Sequence, residues 1–139
     1  MEVDKEQEEM LVKTFFEKRV RERILHELFS PKKRQNVFHR LCHNFNSILS
    51  TKYMIEITKP NSDPDKIVSL LHKYGAIDSC YVIAMDSDLD CKYIPLSIAI
   101  EKVIESGWPA IISCIPSKLA FFQAEQDPMG LTPRYLLKR

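Results

Sequence analysis

Three groups of residues in this 139-residue chain have types and spacings that could do chemistry. The first is Asp86-Ser87-Asp88-Leu89-Asp90, whose acids at alternate positions offer the clustered oxygens that hard divalent cations take. The pattern opens like a calcium-binding loop between two helices and then departs from it. Its sixth position is Cys91, where the sharp turn takes glycine, and its twelfth is Ser97, where a bidentate glutamate closes the site. The expectation is a solvated turn in which Asp side chains accept main-chain hydrogen bonds. Asp86, Asp88 and Asp90 are candidates only for a loosely held Mg²⁺ or Ca²⁺. Acids that follow a parallel strand also lie at its carboxyl end, where α/β sheets bind ligands.

The second group is His39, Cys42 and His43. Histidines at i,i+4 share a helix face and can both reach one Zn²⁺. Cys42, however, falls on an apolar stripe with Phe38, Leu41 and Phe45, and the histidines flank that stripe on its polar side. No glutamate follows His39 to complete a His-Glu-x-x-His arrangement with its general base. The only other histidines are His26 and His72. His39 and His43 therefore read as boundary residues that hydrogen-bond or add to a basic surface, and the sequence calls for no metal and no cofactor.

The third group is the positive charge itself. Between Leu11 and His43 lie nine Lys and Arg residues against Glu17, Glu22 and Glu27, a local balance near +6 in a chain of net +1. Arg21 and Arg23 have glutamates at helical spacing, Glu17 and Glu27, so their charges are matched within one helix. Lys32-Lys33-Arg34 are not matched. They cluster at the start of a helix, where cations oppose the helix dipole. With His39, Arg40 and His43 they form the candidate binding surface: Lys32, Lys33, Arg34, His39, Arg40 and His43. A phosphate backbone would reward such cations by counterion release, and an acidic protein surface would suit them equally.

Other chemistries lack their residues. There is no Gly-x-Ser-x-Gly elbow, and three glycines do not build a phosphate-cradling loop. Cys42, Cys80, Cys91 and Cys114 have no Cys-x-x-Cys spacing and read as free, mostly buried thiols in a reducing compartment. Gln123, Glu125 and Gln126 follow a strand and would line a pocket or decorate a solvent-facing edge.

The elements that must position these groups follow from periodicity. Apolar residues at three- and four-residue steps predict one long helix over residues 5–29. Ser30-Pro31 stops it, and a second helix runs from about Pro31 to Ser50. After Thr51 the texture alternates. Strands are expected at Tyr53–Thr58, Cys80–Met85, Ala110–Ile115 and Leu119–Ala124, with short additions at Lys92–Ile94 and, as an edge, Arg134–Leu137. Helices are expected over Asp65–Tyr74, capped by Ser62 or Asp63 and ended by Gly75, and over Leu96–Glu105, ended by Gly107. Phe121 and Phe122 are adjacent in a strand, so they face opposite sides, and one needs a second cover.

The expected fold is α/β (or α+β): an N-terminal helical pair, residues 1–50, packed on a small domain, residues 51–139. That domain holds a four- to five-stranded mixed sheet and two further helices, with parallel neighbours from its two strand–helix–strand units. No apolar run reaches the roughly 18–20 residues that span a bilayer. The acidic, polar start resembles neither a signal nor a transit peptide, so a cytoplasmic location is expected. The functional expectation is a non-enzymatic protein-interaction or regulatory domain that acts through its helical arm or a sheet edge. Its partner would be another protein or a second copy of this chain. Nucleic-acid binding through the basic helices over residues 13–40 is the alternative, and an enzyme with a cleft near Asp86–Asp90 is the third.

Overall fold

Caps and tertiary contacts decide where the helices begin and end. In the computed structural model, which describes residues 2–139, Asp4 caps α1 (Lys5–Phe15) by accepting the Gln7 N–H on its side chain. The apolar spacing runs on past Phe15, yet the expected single helix breaks at Phe16. Phe16 is extended and bridges Leu49; the Glu17 N–H donates to the Ile48 carbonyl and the Ser50 N–H to that of Phe15. A short 3₁₀ turn then leads into α2 (Arg21–Leu28). Phe15 and Phe16 are both buried, and the bridge to Leu49 takes the Phe16 main chain out of the helix. The expected second helix is likewise two, α3 (Arg34–His43) and α4 (Phe45–Ile48), parted at Asn44.

The next two helices follow their sequence signals. α5 (Pro64–Lys73) is capped by Asp63, whose side chain accepts the Asp65 N–H, and carries proline in its first turn. α6 (Leu96–Ser106) ends at Gly107, which takes the left-handed conformation at φ +69°.

Six strands form one sheet: β1 (Met54–Glu56), β2 (Ser79–Ala84), β3 (Lys92–Pro95), β4 (Ala110–Ile115), β5 (Leu119–Gln123) and β6 (Arg134–Lys138). Their order is β1-β6-β5-β4-β2-β3, and every neighbouring pair is antiparallel. The class is α+β, and the expected four- to five-stranded mixed sheet is corrected accordingly. The strands joined through helices, β1 with β2 and β3 with β4, do run parallel to each other. They are not neighbours, because β2 lies between β3 and β4, and β6, β5 and β4 lie between β1 and β2. β6 is interior, between β1 and β5, rather than an edge.

Helices cover both faces. α1–α4 lie on one, where Leu11, Phe15, Ile24, Phe38 and Leu41 pack with Tyr81, Ile83, Ile111, Phe122 and Leu137. α5 and α6 lie on the other, where Ile67, Leu71, Ile100 and Val103 pack with Val82, Ala84, Ile112, Phe121 and Leu136. Burial on both faces is why β2 and β4 read as continuous apolar runs. α4 is held by Phe45, whose ring centroid is 5.3 Å from Phe122 and 5.6 Å from Tyr135.

Candidate functional site

Arg34 does not belong to the surface. It is 3% exposed and reaches through the helical layer to the β2–β3 turn. Its Nε donates to Asp90 Oδ2 at 2.7 Å and its Nη2 to Asp90 Oδ1 at 2.9 Å. Nη1 and Nη2 also donate to the two carboxylate oxygens of Glu8 at 2.8 and 2.7 Å, and Nη1 donates to the Leu28 carbonyl at 2.8 Å. These bonds use all five guanidinium donors. Tyr81 Oη donates to Glu8, and the Ala84 N–H to Asp90. Burial by itself would lower the Arg34 pKa, but the hydrogen bonds and charges of Glu8 and Asp90 outweigh it and hold the cation charged. The cluster bolts α1 and α3 to the sheet. The sequence contained a signal for it: Glu8, Leu11, Val12 and Phe15, and likewise Arg34, Val37, Phe38 and Leu41, share one apolar stripe each.

The rest of the predicted basic surface divides. Lys32, Lys33 and His39 are exposed. Arg40 is half-buried and ion-paired with Glu27 through both terminal nitrogens. His43 is exposed at the end of α3, its Nδ1 4.0 Å from Glu125 Oε2. Cys42 faces the same glutamate, and its thiol is pushed up to about 11 by burial and then by the Glu125 charge.

The acidic turn divides too. Asp90 is buried and committed to Arg34, so its oxygens are not free for the cation suggested by sequence. Asp86 accepts the Asp88 N–H, the expected turn hydrogen bond. Asp86 and Asp88 line one end of a cavity of about 470 Å³, with Lys92, Lys102 and Glu105 around it. The one hydroxyl lining it, on Ser106, already donates to the Val103 carbonyl and accepts the Trp108 N–H. That cavity presents solvated charges of both signs without an activated nucleophile.

A second buried polar network lies in the same row of strand ends as Ala84, on the α5–α6 side, since Ala84 pairs with Ala110, Ala110 with Gln123 and Gln123 with Arg134. Gln123, fully buried, donates to the Val103 and Trp108 carbonyls and accepts from Arg134 Nε at 2.8 Å. Arg134 Nη1 donates to the Asn61 carbonyl and side-chain oxygens, both at 3.1 Å, and Asn61 donates to the Thr132 carbonyl. Among the described residues no carboxylate pairs with Arg134, and burial lowers its pKa. Gln123 is thus neither pocket lining nor edge decoration but a strut.

The remaining feature lies at the β1 edge. Ile57 N–H donates to the Arg134 carbonyl, so Ile55 and Ile57 turn their main chain toward β6. The Met54 carbonyl and both main-chain groups of Glu56 therefore face outward, while the Met54 N–H is taken by Thr51. Beside this open edge is a groove of about 370 Å³ between β1 and α5. Ile55, Ile57, Ile67, Leu70, Tyr74 and Leu136 make its apolar walls, and Glu56, Asp63 and Lys66 its charged rim. Ile55 is 46% exposed and Tyr74 37%. No local sequence signal marks this groove, because it exists only where α5 stops short of covering β1. Comparison of the chain with protein-family models, with curated proteins and with solved structures gives no match. Among the described residues no helix is long and apolar enough to cross a membrane.

Proposed function

We propose that the protein is a non-enzymatic interaction domain that binds an extended segment of a partner protein along β1. One observation carries this reading: unpaired main-chain groups of an edge strand lie directly beside an apolar groove. Strand addition uses that combination, with main-chain hydrogen bonds giving affinity and a pocket for alternate side chains giving selectivity. The Met54 carbonyl and the Glu56 N–H and carbonyl would pair with the incoming strand. An apolar side chain of that strand would enter between Ile55 and Tyr74, and the rim of Glu56, Asp63 and Lys66 would set the charge of its neighbours.

Burial of Arg34 and pairing of Arg40 remove two of the six residues of the expected basic surface, while Lys32, Lys33, His39 and His43 are exposed, which supports a nucleic-acid surface less well than the raw charge suggested. The test is selection of binders from a displayed library of random peptides on the full chain. Apolar, extended peptides are expected whose binding is lost in Ile55→Asp and kept when Lys32 and Lys33 are both changed to Ala. Peptides indifferent to Ile55→Asp would refute the assignment.

A further inference from the structure

The fold brings together donors that lie more than eighty residues apart in sequence. Cys42 and His43, at the end of α3, meet Glu125 from the loop after β5, and one ligand atom from each lies within 4.8 Å of the other two. The three stand at a cavity of about 640 Å³ walled by Phe45, Ala124, Pro128 and Pro133. We propose that Cys42, His43 and Glu125 bind one Zn²⁺ or a chemically similar borderline-soft divalent ion, with water in the fourth position.

The chemistry of the donors selects the ion. Thiolate, imidazole and carboxylate together suit zinc, whereas magnesium and calcium take oxygen ligands. The distances fit after a small contraction. Bonds of roughly 2.0–2.3 Å to a tetrahedral ion set ligand atoms about 3.3–3.7 Å apart, and the His43 to Glu125 separation is already 4.0 Å. Each side chain therefore closes by about 1 Å or less. Cys42 enters as the thiolate and its proton goes to solvent on binding. Three protein ligands with an open fourth position would leave the ion able to take a further ligand from solvent. The site also ties α3 to the β5–β6 loop, so binding stabilises the native chain. It uses none of the residues of the β1 groove, and the two readings stand or fall separately.

The experiment is titration of the full, metal-stripped and reduced chain with Zn²⁺ against a chromophoric chelator, alongside Co²⁺ absorption spectra. One ion per chain is expected, with a thiolate-to-cobalt charge-transfer band in the near ultraviolet that disappears in Cys42→Ser. His43→Gln and Glu125→Gln, both near the surface, should each weaken Zn²⁺ by more than about tenfold, the loss that removal of even an outer partner of a ligand causes. At free Zn²⁺ a hundredfold above its Kd, the melting temperature should rise by on the order of 10 °C, and equal Mg²⁺ or Ca²⁺ should leave it unmoved. Binding that survives both Cys42→Ser and Glu125→Gln, or no binding at micromolar Zn²⁺, would overturn the proposal. Circular dichroism of each variant separates lost ligation from lost folding.

Discussion

Arg34 shows how far the role of one residue depends on its partners. Nothing in Lys32-Lys33-Arg34 as a triplet separates the third cation from the first two. What separates them is the helical stripe on which Arg34 sits, and two carboxylates that lie 26 and 56 positions away. A guanidinium with five satisfied donors sits between two buried acids, so removing it leaves two uncompensated charges. Arg34→Ala is expected to cost about 3–5 kcal/mol in urea denaturation, whereas Lys33→Ala, on the surface, should stay within about 0.5 kcal/mol. An Arg34→Ala loss below about 1 kcal/mol would mean that the cluster does not form. Asp4 offers a pH test at the same scale. The Tyr93 hydroxyl first, and then the Gln7 N–H, hold its carboxyl below the usual range. A depressed carboxyl contributes stability that is fully present above its unfolded value of about 3.9 and fades as pH falls through the lower folded value. Asp4→Asn should therefore lower the melting temperature at pH 6 and leave it nearly unchanged at pH 2, and an equal loss at both would contradict the role of the charge.

Elements were legible where local chemistry sets them and illegible where distant contacts do. Asp63 and Gly107 mark helix ends by cap chemistry alone, and the strands containing Val82, Ile112 and Phe121 announce themselves by apolar runs. The break at Phe16 does not, because the apolar stripe continues through it and Leu49 makes the competing bridge. Strand order was hidden for a related reason. A helix between two strands fixes their relative direction, but strands from later in the chain can insert between them, as β4, β5 and β6 do. The adjacent Phe121 and Phe122 need a cover on each face, and both covers are in place, α5 and α6 over Phe121 and α1–α4 over Phe122. Phe121→Ala and Phe122→Ala should each cost about 3–5 kcal/mol with an unchanged urea m-value. A sheet covered on one face would show that loss for one of them and near neutrality for the other.

At the scale of the molecule, the two helical layers cover both faces of the sheet, and at the β1 edge outward main-chain groups lie beside exposed apolar side chains. Asp4 and the Arg34 cluster secure the α1–α4 layer to β2 and β3, and the Gln123–Arg134 network ties β5 and β6 to α6 and to the loop after β1. The β1–α5 groove shares no residue with the Arg34 cluster and borders the second network at Asn61. Sequence reasoning placed an interaction surface on the basic helices, because charge is visible in composition while a groove between a strand and a helix is not. The direct measurement is backbone amide NMR of the full chain, free and with a library-selected peptide. Binding along β1 predicts that the Glu56 amide, which faces away from β6, exchanges rapidly in the free protein and becomes protected with peptide. Shifts should spread to Ile55, Ile57 and the Lys66–Tyr74 stretch. An unchanged Glu56 amide, with shifts gathered instead around Lys32, Lys33 and His39, would contradict it.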